Sequence, residues 1–431
     1  MDEVLDLLGT LNDRDVPHCV LRNFGFASGE AHDGDVDILV RSADRAAIDR
    51  VLRDAEFYPF AGDTTRQTRY RGYVPSARSI VTLDLYWDAP TYNGLPILEP
   101  GALDRRRRVE GIYVPAPADY FVELVFHPAL NKNRYRSEYR AELDRLRGSV
   151  DPDAVRAHAE GLFGTPGRRA IDSALDGEYA AVLDAKWRLV AAGLERRPAL
   201  AARFGWNLVG RRKLLRPARS VARRLGVGET PTVAVVGPDG VGKSTAIAGI
   251  EAALEDGGID TRTAALGLHS GATPFLRAVR WAYNRLSGTD SQSAARDRGT
   301  ATLGSRASAP KATVPVVDWL LRYALARAGD ADVILADRYL HELAVYAEPE
   351  RFEWLLDRFE PSQGYVLDDA HERLAARSEF DAESVATFRT RLETLDWERV
   401  PVESDPAATV DVLLKRIVPK LLASLSDSER F

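Results

Sequence analysis

Val233-Ala234-Val235-Val236-Gly237-Pro238-Asp239-Gly240-Val241-Gly242-Lys243-Ser244-Thr245 is the stretch on which the reading of this chain turns. Val233 to Val236 form a continuous apolar run, the pattern of a parallel strand covered on both faces. The residues that follow, through Asp256, keep an apolar spacing suited to a helix. Between strand and helix lies GxxxxGKS. Glycines at 237, 240 and 242 let backbone N–H groups close around phosphate oxygens, and a helix starting near Gly242 aims its positive dipole end at them. In such a loop Lys243 reaches the terminal phosphates of a nucleotide, and the Ser244 hydroxyl meets Mg²⁺. Gly237, Asp239, Gly240, Gly242, Lys243, Ser244 and Thr245 are therefore the expected nucleotide-binding residues. Lysine is scarce, with seven in the whole chain, so a chance lysine behind these glycines is rare.

At 431 residues the chain is long enough for two or three domains with sizeable cores. A hydrophobic fraction of 45% and a charged fraction of 28% are those of an ordinary globular protein. A net charge of −6 argues against a protein that coats nucleic acid over its whole surface. The single cysteine, Cys19, excludes an intramolecular disulfide and any cysteine-cluster metal site. The chain opens Met1-Asp2-Glu3 without a basic and apolar leader, and no stretch of about 18 apolar residues occurs. The expectation is a soluble, cytoplasmic protein.

The first 130 residues alternate short strands and helices: a helix over 2–12, strands near 17–22 and 35–40, a helix near 43–54, and strands near 67–74 and 79–86. This predicts a small mixed α/β domain. Residues 117 to about 225 read as mostly helical, an appendage and connector. From Thr232 onward, strands at 232–236, 262–267, 332–336, 364–368 and 399–403 alternate with helical stretches. That alternation predicts a parallel sheet with helices on both faces, whose ligands lie at the carboxyl ends of the strands. Between Ser287 and Pro310 the composition turns to Ser, Gly, Ala, Thr and Arg, so a mobile loop is expected there.

The strand at 332–336 runs into Asp337-Arg338-Tyr339, placing a carboxylate and a guanidinium at the edge where the glycine loop also lies. Asp337 suits Mg²⁺ held through water, and Arg338 suits an acceptor phosphate, which its forked donors match. Further on, Leu367-Asp368 precedes Glu372, Arg373 and Arg377 on a helical pattern, then Arg389 and Arg391. Arginines at that distance suit a lid over a transferring phosphoryl group.

With these residues in place, the region from 230 to 425 resembles the thymidylate kinase family of P-loop kinases. GPDGVGKST is similar to the family's phosphate loop, with Asp239 at the position that in relatives lies near the acceptor's sugar. Asp337-Arg338-Tyr339 with Ala344-Val345-Tyr346 resembles its Asp-Arg-Tyr segment, and Asp368, Glu372 and Arg377 fall at the spacing of its lid entry. The resemblance implies a P-loop NTPase fold, ATP and Mg²⁺ as cofactors, and Lys243, Asp337, Arg338 and Arg377 as catalytic residues. The chain departs from the family at Leu266-Gly267-Leu268-His269-Ser270-Gly271, where relatives carry Arg-Glu-Pro-Gly-Gly, and at Ala347, where they carry glutamine. The acceptor is left open: a nucleoside monophosphate such as dTMP, or a related small molecule.

A second constellation lies near the N-terminus. Asp35 and Asp37 are two apart in Gly34-Asp35-Val36-Asp37-Ile38-Leu39-Val40, so a strand points both to one face, and Asp84 is able to reach that face from Val81-Thr82-Leu83-Asp84-Leu85. Three clustered carboxylates repel one another unless a divalent cation sits among them. Asp35, Asp37 and Asp84 join Ser244 and Asp337 as expected metal ligands. The arrangement resembles the nucleotidyltransferase fold over about residues 1–145, with Arg22-Asn23 where that fold usually places Gly-Ser or Gly-Gly.

The expected organisation is α/β throughout: a nucleotidyltransferase-like domain over 1–145, a helical, partly basic connector over 146–228, and the kinase-like domain over 229–431. Arg105 to Arg108, and Arg211, Arg212, Lys213, Arg216, Arg219, Arg223 and Arg224, are basic runs that read as solvated linker, with contact to nucleic acid or an anionic membrane as the alternative. His127 and His269 lack a partner at zinc spacing. Three functions stay open at this point: a kinase, possible as a homodimer by analogy of fold; a nucleotidyltransferase whose P-loop domain binds or senses ATP; and an ATP-gated binding module without turnover.

Overall fold

The strands form two separate five-stranded sheets, one in each half of the chain, with runs rich in apolar β-branched residues such as Val36–Val40 and Thr232–Val236 inside them. The structure, a computed structural model, describes residues 1–22, 24–29, 35–64, 66–210, 230–267, 309–328, 330–343, 353–369 and 382–428. It divides into two compact units, Met1–Arg219 and Ser220–Phe431. Among the described residues no helix is long and apolar enough to cross a membrane.

The first unit opens with α1 (Asp2–Asp13), β1 (His18–Val20), β2 (Val36–Val40), α2 (Arg45–Asp54), β3 (Tyr58–Thr64), β4 (Gln67–Val74) and β5 (Ser79–Trp87). The sheet order is β1-β2-β5-β4-β3, antiparallel except for the β2–β5 pair. Alternation along β2 decides what each face meets. Val36, Ile38 and Val40 join Leu83, Leu85 and Trp87 under α1, whose Val4, Leu7, Leu8 and Leu11 lie on one helical stripe, and under Ile48, Val51 and Leu52 of α2. Leu39 and Tyr86 point the other way, into a core built with Phe121, Leu124 and Val125. Asp37 and Asp84 share that second face.

Two short hairpins follow, β6 (Thr91–Tyr92) with β7 (Leu95–Pro96), and β8 (Arg107–Val109) with β9 (Ile112–Val114). The β8–β9 turn is Glu110-Gly111, both at positive φ (49° and 89°), the geometry of a tight primed turn. Six helices then run α3 (Pro117–His127), α4 (Ser137–Arg147), α5 (Pro152–Leu175), α6 (Tyr179–Asp184), α7 (Lys186–Arg196) and α8 (Ala201–Gly210). The segment expected as a connector is packed in: Val155, Ala159, Leu162, Phe163, Ile171, Leu189 and Val190 share one core with α3. The four-arginine run is partly absorbed by the same packing. Arg105 makes a two-pronged contact with the buried Asp119 (2.7 and 2.9 Å), and Arg106 lies over the Tyr113 ring. The basic run from Arg211 to Arg224 lies outside the described residues.

The second unit carries β10 (Thr232–Val236), α9 (Lys243–Asp256), β11 (Thr261–Ala265), α10 (Ala309–Arg327), β12 (Val333–Asp337), α11 (Glu353–Arg358), β13 (Gln363–Asp368), α12 (Ala382–Leu392), β14 (Glu398–Pro401) and α13 (Pro406–Ser428). Its strands are all parallel, in the order β11-β12-β10-β13-β14. This is the parallel sheet flanked by helices that the sequence predicts, consistent with a P-loop NTPase. The first strand in sequence lies in the middle, so the carboxyl ends of two later strands flank its own. Ala234 and Val236 face an aromatic core around Trp319 and Tyr339. Helix α9 packs against α13, where Gly249 permits close approach: a Cβ there would lie 2.6 Å from Val410 Cγ2. Most of the stretch expected to be a mobile loop, 287–310, lies outside the described residues, and its last two begin α10.

Candidate functional site

Beyond Val236 the chain turns back on itself at positions that only glycine suits. Gly240 (φ 80°) and Gly242 (φ 99°) occupy the left-handed region, and Gly242 is the N-terminal cap of α9. A Cβ at Gly237 would lie 2.6 Å from the Leu367 carbonyl oxygen of β13, whereas one at Gly242 would meet nothing within 4 Å. The first glycine thus permits contact with the neighbouring strand. The last leaves an open approach to the helix N-terminus, whose N–H groups have no intrahelical acceptors.

Lys243 is 6% exposed and folds over this loop, its Nζ donating to the carbonyl oxygens of Gly237 (3.0 Å) and Pro238 (2.7 Å), with Asp239 Oδ1 at 3.7 Å. Burial pushes its pKa below the usual lysine value, opposed by the nearby Glu342 and Asp337 carboxylates. The Ser244 hydroxyl donates to Asp337 Oδ2 (2.9 Å). Register explains the meeting, because Asp337 pairs with Val235 across β10 and β12. Asp337 Oδ1 is buried without a hydrogen-bond partner. A serine hydroxyl and a half-satisfied carboxylate are hard oxygen donors of the kind Mg²⁺ takes with substrate phosphates, so these residues fit the ion. Thr245 is exposed in the first turn of α9.

Arg338 has a left-handed backbone (φ 66°), and its N–H bonds to the Val235 carbonyl at 2.9 Å. Its guanidinium donates to Glu342 Oε1 (2.9 Å) and to Asp239. The forked donors expected to face an acceptor phosphate therefore bridge two carboxylates, one on the loop and one buried to 1% exposure. Burial raises the Glu342 pKa, against the pull of Arg338 and Lys243. Glu342 carried no signal in the sequence: it sits in a short apolar turn after the strand, and only the fold shows that it holds Arg338. Beneath it Tyr339 is fully buried, edge-on to Trp319 (5.3 Å) and stacked on His341 (5.8 Å). That packing fixes the strand end carrying Asp337 and Arg338.

Of the arginines expected in a lid, Arg389 is committed to the end of β13, with Nε 2.8 Å from Asp368 Oδ1 and an N–H to Oδ2 at 2.9 Å. Arg373 and Arg377, with Glu372, lie outside the described residues, as do Ala344 to Ala347 and His269 to Gly271.

In the first unit, Asp37 and Asp84 are register partners on β2 and β5, at 4% and 5% exposure, and Asp35 is exposed just ahead of β2. The three do not stand around a shared metal position. Arg22, leaving β1, places one guanidinium nitrogen 2.8 Å from Asp37 Oδ1 and another on Glu123 of α3, while Arg69 Nε meets Asp84 Oδ1 at 2.9 Å. The Tyr86 hydroxyl also bonds to Asp37. Among the described residues no group of three or more His, Cys, Asp and Glu side chains is arranged to hold a metal ion. The expectation of Asp35, Asp37 and Asp84 as ligands thus meets a different solution to carboxylate repulsion, a buried arginine. Burial pushes Glu123 up to about 7 despite Arg22, and Asp84 up to about 6 despite Arg69. His127, 3.8 Å from Glu123, is held below its usual pKa by burial and by Arg22.

No protein-family model and no curated protein matches this chain. Among solved structures, a gluconokinase from Sinorhizobium meliloti is similar at 17% identity, over 47% of this chain and 95% of its own, with a TM-score of 0.24. Two FtsY structures are also similar: the chloroplast protein of Physcomitrella patens (14% identity, 71% and 97% coverage, TM-score 0.21) and the signal recognition particle receptor of Elizabethkingia anophelis (15%, 68% and 97%, 0.21). Likenesses with TM-scores this low assign neither fold nor activity.

Proposed function

We propose that the second unit is an ATP-dependent phosphotransferase of the thymidylate-kinase-like P-loop class, moving the γ-phosphoryl of ATP to a small acceptor. We further propose residues 229–431 as its kinase domain and residues 1–145 as a nucleotidyltransferase-like domain. One observation carries the reading: Lys243 lies inside the glycine loop on two carbonyl oxygens, while Ser244 meets Asp337 at the end of the next strand.

An ammonium has three donors, and a phosphate oxygen is a stronger acceptor than a neutral carbonyl, so Lys243 can exchange loop carbonyls for phosphate with no movement of the backbone. The open N-terminus of α9 adds main-chain donors and the dipole. Ser244 and Asp337 would hold Mg²⁺, directly and through water, and the ion would supply neutralisation of phosphate charge there. Arg338 keeps further N–H groups beyond the two fixed by Glu342 and Asp239, and these stabilise charge on the transferring group. Arg377 is assigned the lid role from its sequence position alone.

ADP formation by the full chain, measured with a panel of nucleoside monophosphates, sugars and sugar phosphates, tests the reading. Turnover with at least one acceptor, lowered on the order of 100-fold or more in Lys243→Ala, is expected. Full turnover in a folded Lys243→Ala chain contradicts it.

A further inference from the structure

The buried carboxylates of the first unit are met by the protein's own guanidinium groups: Arg22 lies between Asp37 and Glu123, and Arg69 meets Asp84. Arg22 is not a surface side chain that happens to lean inward. The Leu21 N–H bonds to the Asp37 carbonyl (2.8 Å), which carries the β1–β2 pairing one residue past β1 and fixes where Arg22 leaves the sheet. Its side chain is 6% exposed, and both partners, Asp37 and Glu123, are buried to 6% or less. Asp37 also bonds the Tyr86 hydroxyl, and Asp84 is met by Arg69. Moving Arg22 aside to admit a metal ion on Asp37 would leave a buried arginine and a buried Glu123 without their charge partner, which a low-dielectric site opposes. Glu123 also comes from α3, not from the sheet, so the guanidinium ties helix to sheet across the face that carries Asp37. A metal ion bound by Asp37 and Asp84 alone would leave Glu123 without a partner.

We infer that Arg22 is the resident cation of the first unit's carboxylate cluster, and that this unit holds no divalent ion there and carries out no metal-dependent nucleotidyl transfer. The inference is independent of the kinase reading, which concerns the other unit. A guanidinium supplies one positive charge and planar donors; it cannot lower the pKa of a bound water or bridge an attacking and a leaving oxygen as a pair of metal ions does.

Mn²⁺ binding to the full chain, followed by electron paramagnetic resonance, separates the possibilities. Ser244→Ala with Asp337→Asn first removes the metal donors of the glycine loop. The expected result in that background is no bound Mn²⁺ that responds to a further Asp37→Asn. A site that Asp37→Asn abolishes overturns the inference. Adding Arg22→Ala to the same background should then create an Asp37-dependent Mn²⁺ site, and a folded Arg22→Ala chain that still binds none contradicts the claim that Arg22 stands in a cation's place. The first measurement leaves Arg22 untouched, so it decides the matter even where Arg22→Ala does not fold.

Discussion

Each unit buries a cation against its sheet, Arg22 in the first and Lys243 in the second, and the two are satisfied in opposite ways. In the first, a guanidinium is buried between the carboxylates of Asp37 and Glu123. In the second, an ammonium rests on the neutral carbonyls of Gly237 and Pro238, and a hydroxyl rests on a carboxylate whose second oxygen has no partner. Charge-assisted bonds are roughly twice as strong as bonds to neutral acceptors, so an anion can displace carbonyls from Lys243 but not carboxylates from Arg22. Arg22 is closed by its own counter-ions, as Arg338 is by Glu342 and Asp239 in the second unit, whereas Lys243 is closed mainly by weaker contacts that an anion can replace.

Arg22→Ala should break this comparison most forcefully. It leaves two buried carboxylates unpaired, and a loss of about 3–5 kcal/mol in denaturant unfolding is expected. A loss below about 1 kcal/mol would place Arg22 among ordinary surface pairs.

Acidity should act with opposite sign on two buried groups, one in each unit. His341 is buried with its pKa pushed down to about 4, so the folded state binds fewer protons than the unfolded between pH 4 and 6.5, and stability falls as pH drops through that window, by about 3 kcal/mol. Glu123 is pushed up to about 7, so the folded state binds more protons than the unfolded between 4.5 and 7, and its contribution is lost as pH rises through that range. Unfolding measured from pH 5 to 7 should show a smaller rising contribution in His341→Asn and a smaller falling contribution in Glu123→Gln, each relative to the unaltered chain. Equal slopes in both variants contradict the assignment.

Gly237→Ala should have a smaller effect on stability, about 1–3 kcal/mol, because its Cβ meets the Leu367 carbonyl and must push two strand ends apart. It sharpens the comparison by weakening ATP binding while leaving the first unit's fold unchanged, which circular dichroism and ATP titration together would show.

What the sequence revealed of these sites follows the range of the physics involved. The glycine loop was legible because its constraints are local: positive φ, close approach to a strand, and a helix start within a few residues. The strand carrying Asp337 and Arg338 was legible for a similar reason, since its apolar run ends at charge. Glu342 and Glu123 were not, because each gains its meaning from an arginine that only folding brings near; Glu123 lies 101 residues from Arg22. The edge strand β3 was missed too, with Pro59 within it and a register shift against β4 obscuring its alternation. Helices α5 and α7 read as a connector because their core partners come from α3, and α5 also breaks its period at Gly164 (φ 63°).

The central claim is that Lys243 exchanges its two loop carbonyls for the phosphates of a nucleotide. Calorimetric titration of the full chain with ATP and Mg²⁺ measures this directly. The account predicts saturable binding by the unaltered chain, weakened on the order of 100-fold in Lys243→Ala, the size expected when one charge-assisted contact to phosphate is lost. Equal affinity in the two chains, both folded, would contradict it.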